Sequence, residues 1–429
     1  MQSSDQLASG PIVIGELQPL TQPYFQHFSA LVELLQQQPQ LMLELESESF
    51  GHFACTQCGT CCELPWRIEI SQSYYEEWFD VFDQHPSGRF KQPFVLKADA
   101  SPATYAGIRR IAGGTSCIFL EADKSCYIHR HYGEAALSTV CKDFPRLSKI
   151  VKNHFVSHQL SHSCEIVPEL LATHPGLMYR LKDMGSARPD LSNSDTAHLG
   201  RNETYLWLGM ALDLLAAPQP ETVIARWRLF LPMLEWMEAL GIQQVNTRQL
   251  TQLYHQLMDQ LAFAGLEAPN PDWQRKGLQW GVIFLASHPG SNAWLRELLQ
   301  HRHWPELSPS ERELLDLYLG HYLRSRLLGM PFVDMHIGRM SLWQMHMLLC
   351  IQLLVLQCLA LYYRAQDAVP LQKEHLQRAI NAVSYRFEQV PELIKNLHFK
   401  DLSQDQCYSA MEVLLSVDFA ATPAWTSPV

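Results

Sequence analysis

The sequence predicts a mainly α protein. A small, irregular α+β cysteine-rich unit is followed by an all-α helical domain. Three observations carry this reading. Eight of the eleven cysteines fall between Cys55 and Cys164, in sequence broken by Pro and Gly. Beyond about Glu203, segment after segment repeats apolar residues at helical spacing. The chain has 429 residues, more than one hydrophobic core usually spans. The expected division is a lead-in with one helix over 1–50, an eight-cysteine metal- or cluster-binding unit over 51–175, and the helical domain over 176–429.

The first twenty residues read as irregular, with Pro11, Pro19 and Pro23 at or near their end. From about Tyr24 to Leu45, Phe25, Phe28, Leu31, Leu34 and Leu35 predict an amphipathic helix. Trp66-Arg67-Ile68-Glu69-Ile70 alternates apolar and charged residues, which predicts a short strand. Ser71 is placed to cap a helix carrying Tyr74, Tyr75, Trp78 and Phe79. Pro86, Gly88, Pro93 and Pro102 then predict a loop or irregular β region. Cys117-Ile118-Phe119-Leu120 and Cys126-Tyr127-Ile128 read as two short strands about a turn. A helical turn is expected from Leu137 to Cys141, stopped by Pro145. Residues 152–164 fit either a strand or a helix. A short helix is expected over Val167–Ala172 and a linker over 176–200. Helices follow at 203–215, 221–240, 247–264, 293–299, 309–328, 341–363 and 371–387.

Composition narrows the function classes. Hydrophobic content of 47% with 18% charge describes a packed protein. A formal charge of -11 argues against a nucleic-acid binder, which needs a basic face. No basic start followed by an apolar run is visible, so a cytoplasmic location with reduced thiols is expected. Leu342–Tyr363 is long enough to cross a bilayer. Gln344, His346, Gln352 and Gln357 interrupt it, which predicts a buried core helix and no membrane span.

The chemistry concentrates in Cys55-Thr56-Gln57-Cys58-Gly59-Thr60-Cys61-Cys62. Thiolates spaced C-x2-C-x2-C-C converge on one soft metal when the chain turns tightly, and Gly59 supplies an unhindered turn. Cys117, Cys126, Cys141 and Cys164 complete a candidate ligand set of eight. Four thiolates suffice for one tetrahedral zinc or a fully ligated 4Fe-4S cluster; eight fit two such sites. The bland alternative is zinc stapling a loop-rich unit. His129, His131, His154, His158 and His162 are further ligand or acid–base candidates, with a hydrogen-bonded structural role as the commoner alternative. Cys350 and Cys358, on an apolar helix, read as core, and Cys407 lies equally far from the cluster. Trp66, Tyr74, Tyr75 and Trp78 read as core or as an aromatic wall beside a cluster. No dinucleotide or Walker glycine loop, GxSxG elbow or HExxH helix occurs.

Cys55-x2-Cys58-Gly59-x-Cys61-Cys62 resembles the core of the zinc- or iron-chelating cysteine-cluster family, whose members carry eight cysteines. The likeness extends to its flagellin lysine-N-methylase branch through Trp66-Arg67-Ile68, Cys117-Ile118-Phe119-Leu120 and Cys126-x-Ile128. It continues in Gly133-Glu134-Ala135-Ala136-Leu137-Ser138-x2-Cys141-x2-Phe144-Pro145-Arg146 and Leu160-Ser161-x-Ser163-Cys164. The resemblance implies methyl transfer from S-adenosylmethionine to lysine ε-amines of a protein substrate. No glycine loop for that cofactor is visible, so if it is used the cluster is the natural place for it, where one iron with an open position could chelate it, with Cys55, Cys58, Cys61 and Cys62 as first candidate ligands. Their spacing departs from the C-x3-C-x2-C of radical enzymes. Arg67 and Arg146 are candidates for the cofactor's carboxylate, with a fold-closing ion pair as the alternative for each. The competing function is a non-catalytic iron–sulfur or zinc protein that docks a partner or aids assembly.

Overall fold

The computed structural model describes residues 12–64, 66–150, 156–185, 201–218, 221–241, 244–263, 271–286, 306–328, 342–389 and 403–421. Among the described residues the protein is mainly α, with two small sheets confined to the first 185 residues. Strand β1 (Gln18–Leu20) leads into α1 (Tyr24–Gln37). This helix ends eight residues before the expected Leu45. Pro39 follows its C-cap, and a proline disfavours helical geometry in the residue before it. Leu41, Leu43 and Leu45 then bury alternate positions of β2 (Leu41–Ser47). Leucine fits both periods, which is why this strand reads as helix in the sequence.

Strand β2 lies at the centre of a five-stranded sheet. Its neighbours are β8 (Leu177–Asp183), antiparallel, and β7 (Val156–Leu160), parallel. Strand β1 adds outside β8, and β6 (Arg146–Ile150) adds outside β7. The sheet therefore joins chain from before, within and after the cysteine-rich stretch. Part of the expected linker is thus strand β8, because Leu177, Tyr179 and Leu181 bury one face there. The rest of it, and the 293–299 segment, lie outside the described residues.

The cysteine-rich unit has its own core. Helix α2 (Glu48–His52) enters it, and α3 (Thr60–Glu63) carries the paired cysteines. Strands β3 (Glu69–Ile70), β4 (Phe94–Leu96) and β5 (Ala106–Ile108) form an antiparallel sheet in the order β3-β5-β4. Helix α4 (Gln72–Asp83) packs over it and is capped as expected: Ser71 Oγ accepts the Tyr74 N–H at 3.2 Å. Phe82, Phe90, Phe94 and Phe119 fill the space between. Cys126 bridges Leu120, but the expected second strand turns at once into α5 (Tyr127–Tyr132). Helices α6 (Thr139–Asp143) and α7 (Val167–Thr173) complete the unit.

The remainder is helical: α8 (Arg201–Ala216), α9 (Val223–Arg228), α10 (Leu231–Leu240), α11 (Thr247–Phe263), α12 (Pro271–Ala286), α13 (Pro309–Leu328), α14 (Leu342–Asp367), α15 (Lys373–Gln389) and α16 (Gln404–Leu415). The single helix expected over 221–240 is broken into α9 and α10 just before Pro232. Helices α12 and α16 were not anticipated. Helix α14 is apolar and long enough to cross a membrane, with mean hydropathy 1.9, yet its apolar 18-residue window is wholly buried in protein. Two of its glutamines find partners inside. Tyr322 Oη donates to Gln352 at 2.9 Å, and Gln357 accepts the Phe419 N–H at 3.1 Å. His346 stacks on Trp227.

Helix α1 belongs to this helical core rather than standing apart. No side chain at its own N-terminus caps it. Asp213 of α8 does so instead, accepting the N–H groups of Tyr24 at 2.7 Å and Phe25 at 2.8 Å, and the Tyr254 hydroxyl at 3.1 Å. Burial pushes the Asp213 carboxyl up, and the three donors oppose that. Gly209 lets the helices touch, since a Cβ there would lie 2.8 Å from Phe25 Cα. Asp213→Ala is expected to destabilise the protein by about 3 kcal/mol, because it orphans buried donors at three positions. Denaturant titration measures this, and a loss below about 1 kcal/mol would show that the cap is not needed.

Candidate metal centre

The chain between Phe53 and Cys62 turns twice with positive φ, at Gln57 (58°) and Gly59 (75°). Gly59 is constrained a second time: a Cβ there would overlap the carbonyl oxygen of Lys124. The turn puts Cys55 and Cys58 on the loop and Cys61 and Cys62 in the single turn of α3. The Cys62 N–H donates to Gly59 O at 2.8 Å, and Cys117 N–H donates to Cys62 O at 2.7 Å. The second cysteine group is thereby tied to the first through the backbone.

All eight cysteines are free thiols. Seven of them, Cys55, Cys58, Cys61, Cys62, Cys126, Cys141 and Cys164, line one cavity that is partly open to solvent, with about 740 Å³ of empty space when the solvent at its mouth is included. Cys117 lies just behind, buried and hydrogen-bonded to Cys62. Phe53, Trp66, Ile68, Leu137 and Phe144 supply apolar walls, and His129 reaches the same space. Trp66 is fixed there by its indole N–H, which donates to Cys61 O at 2.7 Å. Tyr74, Tyr75 and Trp78 pack into the aromatic core instead.

The electrostatics of the sulfurs fall into a pattern. Cys62 hydrogen-bonds with Cys117, Cys126 and Cys61, and its own thiol is pushed far up. The Cys62 bond lowers its three partners, drawing Cys126 down to about 7. One proton donor thus sits among three sulfurs that favour the thiolate. Burial pushes Cys141 and Cys164 each up to about 12. The charges of Cys58, Cys61 and Cys55 add to the effect on Cys164. Like-charged donors gathered out of water are stabilised by a cation, so the donor set fits a thiophilic metal or an iron–sulfur cluster.

Donors around the sulfurs reinforce that fit. Backbone N–H groups of His129 and Ile128 point at Cys126, that of Phe119 at Cys117, and that of Ile166 at Cys164. Such bonds stabilise thiolates and orient metal ligands. Arg110, which sequence reasoning missed, donates from Nη1 to Cys62 O at 3.2 Å and from Nη2 to Trp66 O, and its charge lowers Cys117. Asn381, also missed, comes from α15 and donates to Cys164 O at 3.0 Å. Both act on backbone carbonyls, which leave no mark in a sequence.

Of the two candidate arginines, Arg146 donates to Phe53 O at 2.8 Å and lies over the Phe53 ring, beside the cavity. Arg67 is exposed and is not among the lining residues. His131 packs on Tyr127 and His158 bonds Ser148 Oγ at 2.8 Å; buried His162 lies against Tyr322. His154 lies outside the described residues. Cys350, Cys358 and Cys407 are buried in the helical core, where burial raises each thiol, Cys407 to about 11.

No family model matches the chain, and no solved structure does. Two curated proteins are similar to it. A lysine-N-methylase of Salmonella choleraesuis (strain SC-B67) is 22% identical over 212 residues, 49% of this chain and 51% of that protein. The flagellar biosynthetic protein FliU of Salmonella muenchen is 24% identical over 129 residues, 30% of this chain and 75% of that protein. The chain thus matches about half the length of the first relative.

Cys61→Ala and Gly59→Val are each expected to lose bound metal and to expose residues 55–64 to protease. The first removes a central sulfur and the second drives a side chain into the Lys124 carbonyl. Cys350→Ala and Cys407→Ala should keep the full metal content. Metal analysis decides it, and loss of metal from either core variant would redraw the ligand set.

Proposed function

We propose that the chain is a metal-dependent protein lysine N-methylase, most simply iron–sulfur-dependent, that uses S-adenosylmethionine in the manner of flagellin methylases. One observation carries this reading. Seven of the eight thiols border a partly open cavity walled by Trp66, Phe53, Leu137 and Phe144, where a zinc staple would close its thiolates over a point. The likeness to proteins named lysine-N-methylase and flagellar biosynthetic protein supplies the reaction class.

Cys61, Cys62, Cys117 and Cys126, the hydrogen-bonded group, are the first candidates to hold the metal, with Cys55, Cys58, Cys141 and Cys164 at the same cavity. A cluster held by these thiolates would supply a Lewis-acidic iron for the amino and carboxylate groups of S-adenosylmethionine. The chain's own part is positional. An apolar wall disfavours a lysine ammonium and favours the neutral amine, whose lone pair is the nucleophile. In the transfer, the sulfonium–methyl bond breaks as the nitrogen–methyl bond forms; the sulfur leaves as a neutral thioether and the amine loses a proton. His129, at the cavity wall, is placed to take that proton. Neither arginine lines the cavity; Arg146, bonded to the carbonyl of the lining residue Phe53, is the nearer candidate for the cofactor's carboxylate.

Protein purified without air is expected to contain iron and acid-labile sulfide, and its spin-resonance signal should shift on adding S-adenosylmethionine. Incubation with flagellin should then add methyl groups to lysines, read by mass spectrometry. Zinc alone, with no chromophore and no cofactor binding, would overturn this reading and favour a zinc-bearing protein that docks a partner.

A further inference from the structure

Outside the cysteine cavity, one other cluster of ligating side chains is found among the described residues. Glu48 and His52 stand four residues apart on α2, on one face. His174 follows the last turn of α7 and stacks on His52, ring centroids 3.8 Å apart and planes 6° from parallel. One ligand atom from each of the three residues lies within 4.8 Å of the others. We propose that Glu48, His52 and His174 form a second metal site, which takes a divalent transition metal of the zinc class and ties the chain's entry into the cysteine unit to its exit.

Two features make this more than a surface coincidence. The first is the cradle at Gly176. Its N–H donates to Glu48 Oε2 at 3.1 Å, and its carbonyl accepts the Glu48 N–H at 2.8 Å. A Cβ at Gly176 would lie 2.6 Å from Glu48 Oε2, so the missing side chain is what admits the carboxylate. The carboxylate is thus held from behind by one oxygen, in the way second contacts orient a ligating carboxylate. The second feature is the donor chemistry. Two imidazoles and one carboxylate suit zinc, cobalt or nickel, and contain no thiolate. The site therefore differs in kind from the sulfur-lined cavity. His52 is exposed, which leaves the solvent side of the ion open to water.

The position gives the ion its consequence. Helix α2 runs directly into Phe53 and Cys55, and α7 begins three residues after Cys164. A metal across them would clamp both ends of the cysteine-bearing chain. Imidazole lone pairs lie in the ring plane, so two parallel rings cannot both aim at one ion. Binding must splay the His52–His174 stack until the planes meet.

The test is a cobalt titration of the metal-loaded full chain and of His52→Ala and Glu48→Gln, with circular dichroism confirming the fold. His52 is exposed, and glutamine at 48 keeps an oxygen for the Gly176 N–H, so both variants should fold. The unaltered chain is expected to take up one further cobalt with weak visible bands and no sulfur-to-cobalt charge transfer. Each variant should lose that equivalent while its iron and sulfide stay unchanged. Equal uptake in all three proteins, no uptake in any, or added cobalt that shows only thiolate charge transfer would overturn the proposal. None of these readouts depends on methyl transfer.

Discussion

Everything at the cavity depends on bringing like donors together where water cannot reach all of them. Cys62 shares hydrogen bonds with Cys61, Cys117 and Cys126, and the arrangement is held by backbone geometry rather than by the sulfurs themselves. The turn at Gly59 passes beneath the Lys124 carbonyl with no room for a side chain. The Cys62–Cys117 backbone bond then fixes the second segment against the first. Thiols so placed are costly to leave as they are, because buried anionic sulfur is poorly solvated and protonated sulfur is a weak partner. A cation removes both difficulties at once, which is the physical case for a metal-loaded native state.

That centre is not an independent module. Sheet β1-β8-β2-β7-β6 threads chain from both sides of it, and Arg146 at the start of β6 anchors Phe53 at the cavity wall. Asn381, more than two hundred residues beyond Cys164, fixes the loop that presents that cysteine. Ser157 of β7 donates to the Leu328 carbonyl at the end of α13, a further tie between sheet and helices. The helical core therefore sets the geometry of the cysteine unit, and loss of packing in α1, α8 or α15 would reach the cavity without touching a ligand. Asp213 and Gly209 carry that dependence at the α1–α8 crossing.

The sequence disclosed the gathering of the cysteines more readily than the architecture, for a physical reason. Thiols close in sequence announce themselves, since side chains within one turn must be neighbours along the chain. The Ser71 cap and the buried character of α14 were visible because each is a local pattern. Strands β2 and β8 were not. The leucines of β2 satisfy a helical period as well as a strand period, and β8 is flanked by the loop residues Gly176 and Gly185. Arg110, Asn381 and Asp213 were invisible because each serves backbone groups far away, and any donor or acceptor of similar reach would read the same. Glu48, His52 and His174 escaped because the third residue comes from another element, and only the fold brings it to the first two.

The two candidate centres divide the labour by hardness. Sulfur donors at the cavity favour iron–sulfur chemistry or zinc, and the imidazole–carboxylate set outside favours a borderline ion with a water ligand. They are joined by the shortest possible path, since His52 is followed directly by Phe53, whose ring and carbonyl hold Arg146 at the cavity wall. A shift of α2 on loading the outer site must move Phe53, and with it either the Arg146 contact or the loop that begins at Cys55. The outer site is thus placed to stiffen the cavity's entrance without supplying a ligand to it.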